Sequence, residues 1–186
     1  MAEKSKSNRL VTIVVGIWIG VCVGAVAVAA VIMFGPSILQ RGGMEGLETD
    51  VAAPDFELVD LSGNTVRLQD FRGQAVVVNY WATWCGPCVR EMPMFQKYSE
   101  LYPDTMVMIG VDQEESAEVV KTFLQDFDMN YPILLDEKSD VSKAYQVMVL
   151  PTTFFIDKDG ILRYRHVGYL EEDQFRAYLG KIGVFE

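Results

Sequence analysis

The sequence predicts an α/β domain, a central mixed sheet covered by helices on both faces, carried behind one membrane-spanning helix. Three observations predict it. Strand-like and helix-like segments alternate from residue 51 onward and close with a hairpin and a helix, the pattern of a sheet wrapped by crossover connections. The run AVVVNYWA, residues 75–82, is apolar without alternation, as a strand buried on both faces must be. Leu10 to Phe34 carries no charge at all and, at ~1.5 Å per residue, is long enough to cross the ~30 Å core of a bilayer.

The flanks of that first run orient it. Lys4, Lys6 and Arg9 stand before it against Glu3, and Arg41 is the only base between it and Arg67. Positive-inside bias puts the N-terminus in the cytoplasm and everything after Phe34 outside. Ala27-Val28-Ala29 has the look of a cleavage site, yet the apolar run continues past it through VIMF, longer than a signal peptide needs. An uncleaved anchor is therefore expected; with cleavage, too, the remainder leaves the cytoplasm. Gly16, Gly20 and Gly24 have the small-xxx-small spacing of touching membrane helices, and Cys22 reads as a small apolar filler within the span.

The expected division is a cytoplasmic tail at 1–9, the anchor at 10–34, a linker at 35–50 and a folded domain at 51–186. The linker reading rests on Gly and Pro without sustained periodicity in GPSILQRGGMEGLETD. After the anchor, 13 basic residues face 25 acidic ones, a net of −12. Such a surface is a poor match for nucleic acid or anionic headgroups.

Within the domain, FELVD, the turn LSGN and TVRLQD predict a β-hairpin. The 75–82 strand follows. Cys85 to Leu101 predicts a helix through Val89, Met92, Phe95 and Leu101, bent at Pro93 where a backbone hydrogen bond is lost. TMVMIGVD is a second buried strand, and Ser116 to Phe127 an amphipathic helix through Val119, Val120, Phe123, Leu124 and Phe127. YPILLD reads as a short strand and KSDVSKAYQV as a helix. TTFFID, the Asp159-Gly160 turn and ILRYRHVGY form a second hairpin, and 171–182 a closing helix. Tyr80, Trp81, Phe154 and Phe155 are expected in the core. Residues 112–116, DQEES, follow a strand end; an acidic helix cap is the expected role, substrate contact the alternative.

The chemistry sits in WATWCGPC, where Cys85 and Cys88 lie two residues apart. Haem attachment requires a histidine after the second cysteine, and Val89 is there instead. A structural zinc site requires four ligands; the pair supplies two, and His166 is the only histidine. A staple closing so short a loop stabilises by only roughly 2 kcal/mol. Thiol redox chemistry fits both spacing and position. A strand end passing directly into a helix places Cys85 at a helix N-terminus, where free amides and the helix dipole favour a thiolate. Cys88, one turn on, is the natural resolving thiol, and Pro87 suits the first turn because its missing N–H costs nothing there.

WCGPC, Pro93 five residues after the second cysteine, and VLPTTFFIDKDG some way on together resemble the thioredoxin superfamily over about residues 51–186. APDF, the LSGNTVRLQDFRG hairpin and the helix–strand insertion at 115–135 resemble, more narrowly, the ResA/TlpA-like membrane-anchored thiol-disulfide oxidoreductases. The resemblance implies a thioredoxin-like fold and no cofactor beyond a redox-active Cys85–Cys88 disulfide. It implies a cis bond before Pro151, a rare isomer that proline tolerates best. The 150–152 backbone (Leu150, Pro151, Thr152) would then lie beside Cys85 for a substrate strand to pair with, with Trp84 flanking an exposed sulfur. Gly86-Pro87, the dipeptide of reducing thioredoxins, would meet substrate together with Trp84 and residues 150–152.

One departure from thioredoxins is Asn79, which stands where they carry a buried acid. Glu91, one turn below Cys88, resembles the acid of ResA-like proteins and would relay the Cys88 proton; the other reading is a surface glutamate. The implied substrates are disulfides of exported proteins, apocytochrome c among them. The implied electron donor is a membrane protein of CcdA/DsbD type. Two rival functions fit less well. A peroxiredoxin would place Pro and Thr or Ser where Val78 and Ala82 stand. A Sco-type copper carrier would space its cysteines more widely.

Overall fold

The structure, a computed structural model, describes residues 46–185; the expected tail, the anchor and all but the last residues of the expected linker lie outside them. Eight strands form one mixed sheet in the order β1-β8-β7-β4-β5-β6-β2-β3. They are β1 Leu47–Ala52, β2 Glu57–Asp60, β3 Thr65–Arg67, β4 Ala75–Trp81, β5 Met106–Gln113, β6 Ile133–Asp136, β7 Thr152–Ile156 and β8 Ile161–Val167. Between them run α1 Gly86–Leu101, α2 Ala117–Leu124, α3 Asp140–Ala144 and, after β8, α4 Glu172–Lys181; a 3₁₀ turn spans Leu68–Phe71.

β4 is the centre. All seven of its residues are buried, and three consecutive valines suit a pleated strand with a neighbour on each side. It runs parallel to β5 and antiparallel to β7. Side-chain alternation splits the core in two. Ala75, Val77 and Trp81 face α1, α2 and α4. Val76, Val78 and Tyr80 face the 3₁₀ turn, Tyr145 after α3, and Phe56. Helical cover on both faces agrees with the expectation, as does the β2–β3 hairpin, which joins the sheet through β6.

Several elements differ from the sequence reading. α3 covers Asp140–Ala144 instead of 138–147, and residues 68–70, expected in the second strand of the first hairpin, belong to the 3₁₀ turn. Residues 47–50, expected in the linker, belong to β1, which pairs antiparallel with β8. α2 ends at Leu124 instead of Phe127, and Val119 is exposed on it. On α1 the buried stripe is Cys88, Glu91, Met92, Phe95 and Tyr98, while Leu101 is exposed. The helix passes through Pro93, which faces solvent and leaves the Val89 carbonyl without its i+4 donor.

One glycine governs how β4 delivers the chain to the cysteines. A Cβ on Gly110 of β5 would lie 2.7 Å from Ile133 Cδ1 and 3.1 Å from Trp81 Nε1. The bare backbone makes room for the Trp81 indole, the last residue of β4.

Candidate active site

After Trp81 the chain turns through Ala82–Trp84 into α1. Cys85 caps that helix in an extended conformation, and its Sγ accepts the Cys88 backbone N–H at 3.3 Å. The sulfur therefore occupies the place of an oxygen in an ordinary N-cap and receives one of the helix's free donors. Gly86 and Pro87 form the first turn. Cys85 and Cys88 are joined in a disulfide with their Cα atoms 5.3 Å apart. The sulfur expected to be exposed is not: Cys85 is only 4% accessible, whereas Trp84 beside it is 73% accessible. Both cysteines belong to the buried cluster beneath α1.

One turn below Cys88, Glu91 is buried, so the surface reading of this residue falls. Its Oε1 accepts the Leu170 N–H at 2.5 Å, and Oε2 has no partner. Burial pushes the carboxyl up to about 8, against the opposing pull of the Leu170 amide, the Asn79 side chain and the Arg90 charge. Asn79 itself donates to Thr153 Oγ1 at 3.0 Å.

A second acid fixes the loop before Cys85. Glu115 accepts the Thr83 N–H and the Thr83 hydroxyl, both at 2.6 Å. Behind it Asp112, the last buried residue of β5, has zero accessibility and no partner for either oxygen. Burial and the neighbouring Glu115 carboxyl push Asp112 up to about 8. The acidic-cap expectation for 112–116 gives way to a different role: Ser116 caps α2 without a side-chain bond, and Glu115 holds the active-site loop.

Trp84 and Leu150 line a cleft of about 530 Å³ together with Gln113, Glu114, Met148 and Val149. The Leu150–Pro151 bond is cis. Of the three residues expected to meet substrate there, only Leu150 reaches this cleft. The Pro151 carbonyl already accepts the Gly168 N–H, and Thr152 is buried between β4 and β8 with its hydroxyl donated to Val149 O at 2.6 Å. Gly86 and Pro87 do not line it. Sequence reasoning missed Met148, 84% accessible, and Val149. The apolar run Met148-Val149-Leu150 leading into Pro151 was the available signal, although its exposure is settled only by the fold.

With this geometry in hand, the likenesses to known proteins have a physical basis. Residues 49–165 match the AhpC/TSA family. The thiol-disulfide oxidoreductase ResA of Bacillus thuringiensis is 37% identical over 139 residues, covering 74% of this chain and 80% of that one. Among solved structures, a putative thiol:disulfide interchange protein DsbE from Chlorobium tepidum superposes with a TM-score of 0.68 at 27% identity, over 73% of this chain and 98% of that one. The exposed lipoprotein thioredoxin Etrx1 of Streptococcus pneumoniae gives a TM-score of 0.64 at 32% identity, over 69% and 99%. The chain belongs to the AhpC/TSA family with a thioredoxin-like fold, and it is a thiol-disulfide oxidoreductase of the ResA and DsbE kind whose redox group is its own cysteine pair.

Proposed function

We propose that this protein reduces disulfides of exported proteins from an anchored position outside the cytoplasm, with the apocytochrome c cysteines as its substrate during cytochrome c maturation. The Cys85 thiolate attacks one substrate sulfur, and the other substrate sulfur departs as a thiolate. The Cys88 thiolate then attacks Cys85 Sγ in the mixed disulfide, releasing the second substrate thiolate and leaving the Cys85–Cys88 disulfide. Two electrons pass to the substrate. They return from a dithiol of a membrane protein of CcdA/DsbD type, by the same exchange in reverse.

The observation that carries this reading is the Cys85 sulfur at the head of α1, accepting the Cys88 N–H, with the buried Glu91 carboxyl one turn below Cys88. Glu91 takes the Cys88 proton when substrate is reduced and gives it back when the disulfide is opened by the donor. Because its carboxyl titrates near 8, the ionised form that accepts the proton grows as pH rises to that value. Reduction of substrate should speed up over the same interval. Trp84 and Leu150 offer the cleft, and Gly86, Pro87, Pro151 and Thr152 shape its surroundings.

A Cys88→Ala variant tests the scheme. Without a resolving thiol, mixed disulfides through Cys85 should accumulate on exported cysteine-containing proteins, apocytochromes among them, and mass spectrometry would identify them. A variant that forms no adduct with a disulfide substrate under turnover conditions would refute the Cys85 nucleophile. Adducts lacking any apocytochrome would refute the substrate alone.

A further inference from the structure

Glu91 and His166 are held by the two ends of one peptide group. Leu170 N–H donates to Glu91 Oε1 at 2.5 Å, and His166 Nε2 lies 3.2 Å from Tyr169 O. The carbonyl of Tyr169 and the amide of Leu170 are the same planar unit. A carbonyl only accepts, so Nε2 carries the ring's proton and points it at that oxygen. Nδ1 is buried without a partner, and burial lowers the ring's pKa, so the imidazole is neutral at neutral pH. Donation into the carbonyl polarises the amide and strengthens the N–H at its other end.

The surrounding geometry holds this unit in place. Gly168 N–H donates to Pro151 O at 2.8 Å, and the Arg90 guanidinium lies over the Tyr169 ring at 5.2 Å. Across the sheet Asn79, Thr153 and His166 occupy paired positions on β4, β7 and β8. The charged and titratable neighbours are Arg90 and Tyr131 at Glu91, and Tyr178, whose ring centroid is 6.0 Å from that of His166.

We propose that His166 is a positioning residue for the reaction: through the Tyr169–Leu170 peptide group it orients and strengthens the hydrogen bond that holds the Glu91 carboxyl beneath Cys88. The catalytic meaning rests on the proton-transfer role of Glu91 given above, whereas the link between the two side chains does not.

The test is a carbon-13 titration of the Glu91 carboxyl in the full-length protein. His166→Phe removes the donor, weakens the Leu170 bond to the carboxylate, and should raise the Glu91 midpoint by about half a pH unit. His166→Gln restores an N–H of similar reach and should bring the midpoint back toward the parent value. The pH profile of disulfide exchange should move with it. An unchanged Glu91 midpoint in folded His166→Phe overturns the proposal. Should that variant not fold, the nitrogen-15 shifts of the parent imidazole decide instead: a proton on Nε2 supports the link, and a proton on Nδ1 alone overturns it. If the midpoint moves while exchange ignores both His166→Phe and Glu91→Gln, the link stands and the proton-transfer role of Glu91 falls.

Discussion

Asp112 shows how much a single buried carboxyl governs. Its pKa stands near 8 in the fold against an ordinary 3.8, so folding favours the protonated form. The sign follows from linkage: the stability associated with this group is complete below about pH 4 and is drawn down as pH climbs through 8. Asp112→Asn, which cannot ionise, should match the parent near pH 4 and exceed it increasingly toward pH 8 in denaturant unfolding. Parallel stability profiles would remove Asp112 from the list of buried acids. At this scale the sequence was uneven. Glu91 was legible through the resemblance to ResA-like proteins, which carry an acid one helical turn after the second cysteine; the helical period by itself left a surface glutamate open. The roles of Asp112 and Glu115 were not, because the Glu115–Thr83 bonds join residues 32 apart along the chain. His166 was visible only as a lone histidine, since its meaning depends on a turn it shares with Glu91.

Among the elements, α1 positions both cysteines and Glu91, and its seating depends on a few large side chains. Phe95 is fully buried and meets the Phe175 ring with centroids 5.3 Å apart. Phe95→Ala should cost about 3–5 kcal/mol. Leu101, which the helical spacing placed on the same stripe, is exposed, and Leu101→Ser should change stability by no more than about 0.5 kcal/mol. Thermal unfolding of the two variants separates these outcomes; equal losses would contradict the observed face. The helical period was read correctly for Met92 and Phe95 but one turn too far, because Tyr98 takes the last buried place. β1 escaped notice for a different reason. Its residues are almost all exposed, so LETDVA carries neither alternation nor an apolar run, and only pairing with β8 makes it a strand.

For the molecule as a whole, buried strands and helix faces made the order of elements and the two-sided cover of the sheet readable in advance. Strand order was not, because the return of β2 to pair with β6 is a long-range choice without a local signal. The proposed anchor makes its own prediction. The full-length chain should sediment with membranes and resist alkaline carbonate, and a chain lacking residues 1–34 should be recovered in the soluble fraction. Recovery of the intact, uncleaved chain in the soluble fraction would rule out the anchor.

β1 also has a bearing on life at high local concentration. It forms one rim of the sheet, and between Glu48 and Val51 it carries one more residue than the β8 stretch it faces. Such an irregularity, with the acidic Glu48 at its start and Asp50 within it, breaks the even ladder of free amides and carbonyls that a stray polypeptide would need as a template. A thiol-disulfide oxidoreductase, whose substrates are disulfide-containing proteins, is thereby spared from recruiting them as extra strands.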